Sequence, residues 1–98
     1  MTRQRYLIEH YRPGITAEAL EQWAAALRAT AITMARAGEP LRYLHSTTIP
    51  SDEALLCVVE AASDELVREL YARAGLSFER LTAVISDDIT SESEEDIR

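Results

Sequence analysis

The chain has 98 residues, of which 47% are apolar and 28% charged, a composition that suits one compact domain and is too apolar for disorder throughout. Ten Arg, no Lys and 17 acidic residues give a formal net charge of −7, which argues against the basic face that nucleic-acid and anionic-membrane binding require. Cys57 is the only cysteine, so an intramolecular disulfide and a thiolate-only metal site are both ruled out.

The N-terminal Met1-Thr2-Arg3-Gln4-Arg5 leads into only a short apolar run before Glu9 and His10. That is too little for a signal-peptide core or a spanning helix, so the expected location is cytoplasmic. Arg5 to Tyr11 reads as a strand, with Tyr6, Ile8 and Tyr11 in a run that stops at Pro13-Gly14. Thr16 then caps a helix, with Glu18 in its first turn and Ile15 placed to clasp Leu20. Leu20, Trp23, Ala24, Leu27, Ala31 and Met34 form one apolar stripe at spacings of three and four, and Gly38 is the expected C-cap.

Leu41 to Ile49 is the next extended run, and Pro50-Ser51-Asp52 turns the chain into the nearly continuous apolar run Ala54 to Ala61. Ser63 caps a second helix, whose stripe is Leu66, Val67, Leu70, Tyr71 and Ala74 and whose end is Gly75. A last strand is expected over Phe78 to Ser86. The order β-α-β-β-α-β predicts an α+β, ferredoxin-like fold, a four-stranded antiparallel sheet with two helices on one face. The domain should span residues 1–86, and residues 87–98 read as a solvated acidic tail. Six acids and Arg98 give that tail −5 of the total −7, leaving −2 for the rest.

One sheet face packs on the helices and the other meets water or a partner. A hairpin centred on Pro50 to Glu53 pairs Tyr43 with Glu60, His45 with Val58 and Thr47 with Leu56 on the open face, leaving Leu44, Leu55, Cys57 and Val59 for the core. A one-residue slip would invert this assignment. Glu9 belongs on the open face too, because a carboxylate under the helices would lack a partner. The mixture of Leu56 and Val58 with Tyr43, His45 and Glu60 points to a homodimer formed through that face, around a polar pocket.

The candidate metal ligands are Glu9, His45 and Glu60, with His10 as a further nitrogen from the end of the strand. Imidazole and carboxylate on adjacent strands can converge on one divalent cation, and N/O ligation suits nickel, zinc, cobalt or copper alike. The plainer alternative has His45 bonded to the backbone or to Glu60, and Glu9 paired with an arginine such as Arg42. A general acid/base pair of His45 and Glu60 is a third reading, but Ser46 points away from His45 and supplies no nucleophile. Cys57 sits mid-strand as a small core residue. The sequence contains no Gly-rich phosphate loop, CxxC pair, HExxH or EF-hand loop.

The segments Tyr6-Leu7-Ile8-Glu9 with Pro13-Gly14, Arg42-Tyr43-Leu44-His45-Ser46, Pro50-Ser51-Asp52-Glu53, Cys57-Val58-Val59-Glu60-Ala61 and Arg73-Ala74-Gly75 follow one another in order. In this the chain resembles, over about residues 5–86, a small ferredoxin-like family that includes a bacterial nickel-binding protein. The resemblance implies a dimeric domain with nickel or another divalent metal as ligand. The expected function is therefore a non-catalytic metal buffer or carrier. The alternative, by fold analogy, is a small dimeric monooxygenase or isomerase with a pocket around Tyr43, His45 and Glu60.

Overall fold

The computed structural model describes residues 3–85, so the expected acidic tail lies outside the described residues. Strand β1 spans Gln4–Tyr11, helix α1 Ala17–Arg36, strand β2 Leu41–Ile49, strand β3 Ala54–Ala61, helix α2 Asp64–Ala74 and strand β4 Arg80–Val84. The four strands form one sheet in the order β2-β3-β1-β4, every neighbouring pair antiparallel. This is the expected ferredoxin-like α+β arrangement.

Local chemistry explains the helix ends. Thr16 Oγ1 accepts from the Ala19 amide at 3.0 Å and Ser63 Oγ from the Leu66 amide at 3.3 Å, each satisfying one of the donors that a helix start leaves open. The C-cap of α1 is Ala37, with Gly38 one residue later in the left-handed region at φ +99°. Gly38 thus ends the helix from the position just after the cap, where a left-handed glycine is favoured. Gly75 caps α2 as expected.

The two expected stripes become the core. Leu20, Ala24, Leu27, Ala31 and Met34 from α1 and Val67, Leu70 and Tyr71 from α2 are buried against Tyr6, Ile8, Leu55, Cys57 and Val59 of the sheet, with Trp23 packed at the edge. The last strand is shorter than expected. Phe78 precedes β4 and packs edge-on against Tyr71 at 5.0 Å between ring centroids, so its bulk serves the core from a loop.

The turn between β2 and β3 is a 3-10 turn at Pro50–Asp52, closed by Glu53 at φ +52°. A non-glycine residue in that region is uncommon. Three bonds hold it: its amide donates to the Pro50 carbonyl, its carbonyl accepts from the Arg12 amide, and its Oε2 accepts from the Gly14 amide at 2.7 Å. Glu53 therefore ties the hairpin tip to the β1–α1 turn.

One expected pairing is corrected. His45 faces Val58 and Thr47 faces Leu56 as expected, but a bulge at Leu44 shifts the rest, so Tyr43 faces Val59 and Arg42 faces Glu60. An extra residue on one strand reverses every side chain beyond it. Tyr43 consequently lies on the helix side, with its hydroxyl 3.3 Å from Cys57 Sγ, and takes the core position expected for Leu44. Among the described residues, no helix is long and apolar enough to cross a membrane.

Candidate metal-binding face

Alternation along the strands fixes which side chains share the open face. Glu9 faces Leu56 on one side and Arg80 on the other, Leu7 faces Val58 and Thr82, and Arg5 faces Glu60 and Val84. With Arg42, His45 and Thr47 from β2, this face has an apolar middle of Leu7, Leu56 and Val58, flanked by charges of both signs, and Val84 lies on the outer strand beside Arg5. The apolar residues are only half-buried.

Glu9, His45 and Glu60 all project from this face, as the alternation predicted. The register spreads them out. His45 and Glu60 lie on adjacent strands two residues apart, a diagonal of roughly 7–8 Å between Cα atoms that long side chains can close. Glu9 and Glu60 are separated by four residues measured along β1, about 13 Å at the rise of a strand. Among the described residues of one chain, no group of three or more His, Cys, Asp or Glu side chains is placed to hold a metal ion. The arrangement provides a neighbouring nitrogen and oxygen donor, with a second carboxylate farther off.

The two carboxylates differ in how firmly they are held. Glu9 Oε1 accepts from the Tyr11 hydroxyl at 2.6 Å, and its Oε2 lies 3.7 Å from Arg80 Nε. That hydrogen bond is the chief reason the Tyr11 phenol is pushed above its usual pKa, since ionising it would set two negative charges together. Among the described residues Glu60 has a long contact, 3.8 Å to Arg3, beside Arg5 and Arg42 across the ladder. His45 is exposed and makes no hydrogen bond or ion pair with the described residues. Thus the arginine near Glu9 is Arg80 rather than Arg42, and His45 is not bonded to Glu60 or to the backbone.

Sequence reasoning missed both partners of Glu9. Tyr11 was legible, because a residue two positions along a strand shares its face. Arg80 was not, since it reaches Glu9 only through the pairing of the first strand with the last.

His10 lies on the other side of the sheet. It is fully buried, and its Nδ1 donates to the Leu55 carbonyl at 2.8 Å. A carbonyl only accepts, so the proton sits on Nδ1 and Nε2 is a bare acceptor without a partner. The ring stacks on Tyr71 at 5.3 Å between centroids, with Trp23 at 6.3 Å. Burial lowers the His10 pKa, with the Leu55 bond working in the opposite direction. The structure does not bring His10 together with Glu9, His45 and Glu60.

A small polar cluster accompanies His10 under the helices. The Tyr71 hydroxyl is buried without a formed hydrogen bond, although it is close enough to the Cys57 thiol for each to affect the other's ionisation. Burial pushes the pKa of Cys57, Tyr43 and Tyr71 upward. Cys57 is thus kept as an unreactive thiol, and Tyr43 lies on the opposite face from His45 and Glu60.

Fold and face together define a small ferredoxin-like α+β domain with a chemically mixed sheet face that the two helices leave open. Residues 6–84 match the family described as nickel responsive protein SCO4226-like, and the chain belongs to that family. The fold is similar to the crystal structure of SCO4226 from Streptomyces coelicolor A3(2), with a TM-score of 0.68 at 23% identity, over 85% of this chain and 98% of that one. No curated protein sequence matches this chain.

Proposed function

We propose that this chain is a non-catalytic, cytoplasmic protein that binds nickel or another divalent metal as a homodimer through its open sheet face, acting as a buffer or carrier. The donors are His45 and Glu60, with Glu9 as a further carboxylate. Membership of a family described as nickel responsive carries this reading. The chemistry of the face supports it, because imidazole nitrogen and carboxylate oxygen suit nickel, cobalt, zinc and copper. The absence of Lys and the small net charge outside the terminal acidic run argue against nucleic acid and anionic membranes as partners.

Calorimetric titration of the full chain with Ni²⁺, Zn²⁺ and Co²⁺ tests this reading. Binding should weaken by ~10-fold or more in His45→Ala, the size of effect seen even when a ligand's supporting partner is lost. The His45→Ala chain retains every acidic residue, so weak cation collection by the terminal run appears equally in both proteins. Equal affinity of wild type and variant for all three ions would reject the reading.

A further inference from the structure

We infer that the acidic terminal run, residues 87–96, lies across the arginine end of its own chain's open face, as an autoinhibitory strap that any partner of that face, a second copy included, must displace. The inference uses the open face and does not depend on the metal-binding reading above.

The first observation is a charge imbalance at one end of the face. Arg42, Glu60, Arg5 and Val84 face one another in a row across all four strands. Arg3, one step farther along the same side of β1, touches Glu60 at 3.8 Å. A single carboxylate therefore sits among three arginines. Arg42 is exposed and makes no ion pair with the described residues. Of the acids at this end, Glu39 and Asp64 are engaged by Arg73 and Arg68. At the other end of the face the charges are matched, Glu9 against Arg80.

The second observation is where the chain leaves the sheet. β4 runs antiparallel to β1, so the chain passing Val84 beside Arg5 heads toward Arg3. The described residues end at 85, and residues 87–98 hold six acids and Arg98. Asp87 and Asp88 follow Val84 by three and four residues, a reach of roughly 10–13 Å that suffices for Arg3 and Arg5. Glu92 to Asp96 follow by eight to twelve residues, more than enough to cross the roughly 14 Å from β4 to Arg42 on β2.

The third observation is a match of apolar groups. Ile85 is 99% exposed, and Ile89 follows it within the acidic run, while Leu7 and Val58 beside the arginine row are only half-buried. Each exposed ion pair contributes little by itself. A short tether raises the local concentration of the run to ~mM, so that contacts too weak to hold a separate peptide hold a segment of the same chain. The run lies outside residues 6–84, which match the family, so the strap is an addition to the shared fold.

The test uses the full chain with a nitroxide on Ser93→Cys, and Cys57, which is fully buried, leaves that position as the one labelled thiol. In isotope-labelled protein at low salt, the amide signals of Arg42 and Glu60 should broaden far more than those of Arg28 and Ile32 on the exposed side of α1. Salt at ~1 M, where the screening length falls to ~3 Å, should restore about half or more of the lost intensity. Arg42→Glu, a substitution at an exposed position, should act in the same direction at low salt. Broadening spread evenly over both sides of the molecule, or broadening that ignores both salt and Arg42→Glu, would overturn the inference. So would equal broadening when nitroxide and isotope are carried on separate chains in a mixture, which would place the contact between molecules. None of these outcomes alters the Ni²⁺ titration, so the two readings fail separately.

Discussion

The two faces of the sheet are made from the same strands, residue by residue in alternation, yet they are organised by different rules. Under the helices Ile8, Leu55, Cys57 and Val59 are fully buried, whereas Leu7, Leu56 and Val58 one position away are half-buried at most. Packing determines the first set and leaves the second to water or to another protein. A neighbouring pair on β1 shows the difference most directly.

Ile8→Ala should cost about 2–5 kcal/mol, the usual range when a fully buried branched side chain leaves a cavity. Leu7→Ala on the other face should cost about 1 kcal/mol or less in the single chain. Urea denaturation at several protein concentrations measures both. The Ile8→Ala loss should be independent of concentration, while on the proposed homodimer the Leu7→Ala loss should grow with concentration. Equal and concentration-independent losses would show that the faces do not differ in this way.

The buried face was largely legible in the sequence. Helical spacing picked out the residues of both stripes, Thr16 and Ser63 gave the helix starts, and β2 and β3 begin and end where β-favouring runs and the Pro50 turn placed them. These signals are local and redundant. The open face depended on register, which carries no such redundancy. One bulged residue, Leu44, sent Tyr43 under the helices and brought Arg42 opposite Glu60. Nothing in the run Leu41 to Ile49 marks Leu44 as the extra residue, since every neighbour is equally compatible with a strand.

His10 is the opposite case, because its face could be counted along β1 from Glu9 without knowing the register: adjacent strand residues point to opposite faces. Its chemistry gives the second test of the contrast. Burial lowers its pKa below the usual 6.5, so the folded chain holds it neutral while the unfolded chain protonates more readily. In the window between the lowered value and 6.5 the unfolded state binds more protons, and stability therefore rises with pH. The stabilising contribution is complete above 6.5 and is lost as pH falls below it, by up to about 1.4 kcal/mol per pH unit for one proton. Urea midpoints measured from pH 7.5 to 5.5 should show this slope in wild type and a flatter one in His10→Phe. A slope unchanged by the substitution would mean that His10 is not the group responsible.

The smallest expected effect on stability is also the most discriminating. His45 is exposed and touches no hydrogen-bonding or ionic partner among the described residues, so in the absence of metal His45→Ala should change unfolding free energy by no more than about 0.5 kcal/mol. Added Ni²⁺ should separate the proteins. A ligand that binds only the folded state stabilises it by mass action, by about 2.7 kcal/mol at a hundredfold excess over its dissociation constant, and His45→Ala, with its affinity ~10-fold or more weaker, should gain less than wild type by about 1.3 kcal/mol or more at the same Ni²⁺ concentration. His10→Phe, altered on the opposite face, should keep the gain. A histidine that sets stability without affecting metal and another that sets metal affinity without affecting stability would place the two functions on opposite sides of one sheet.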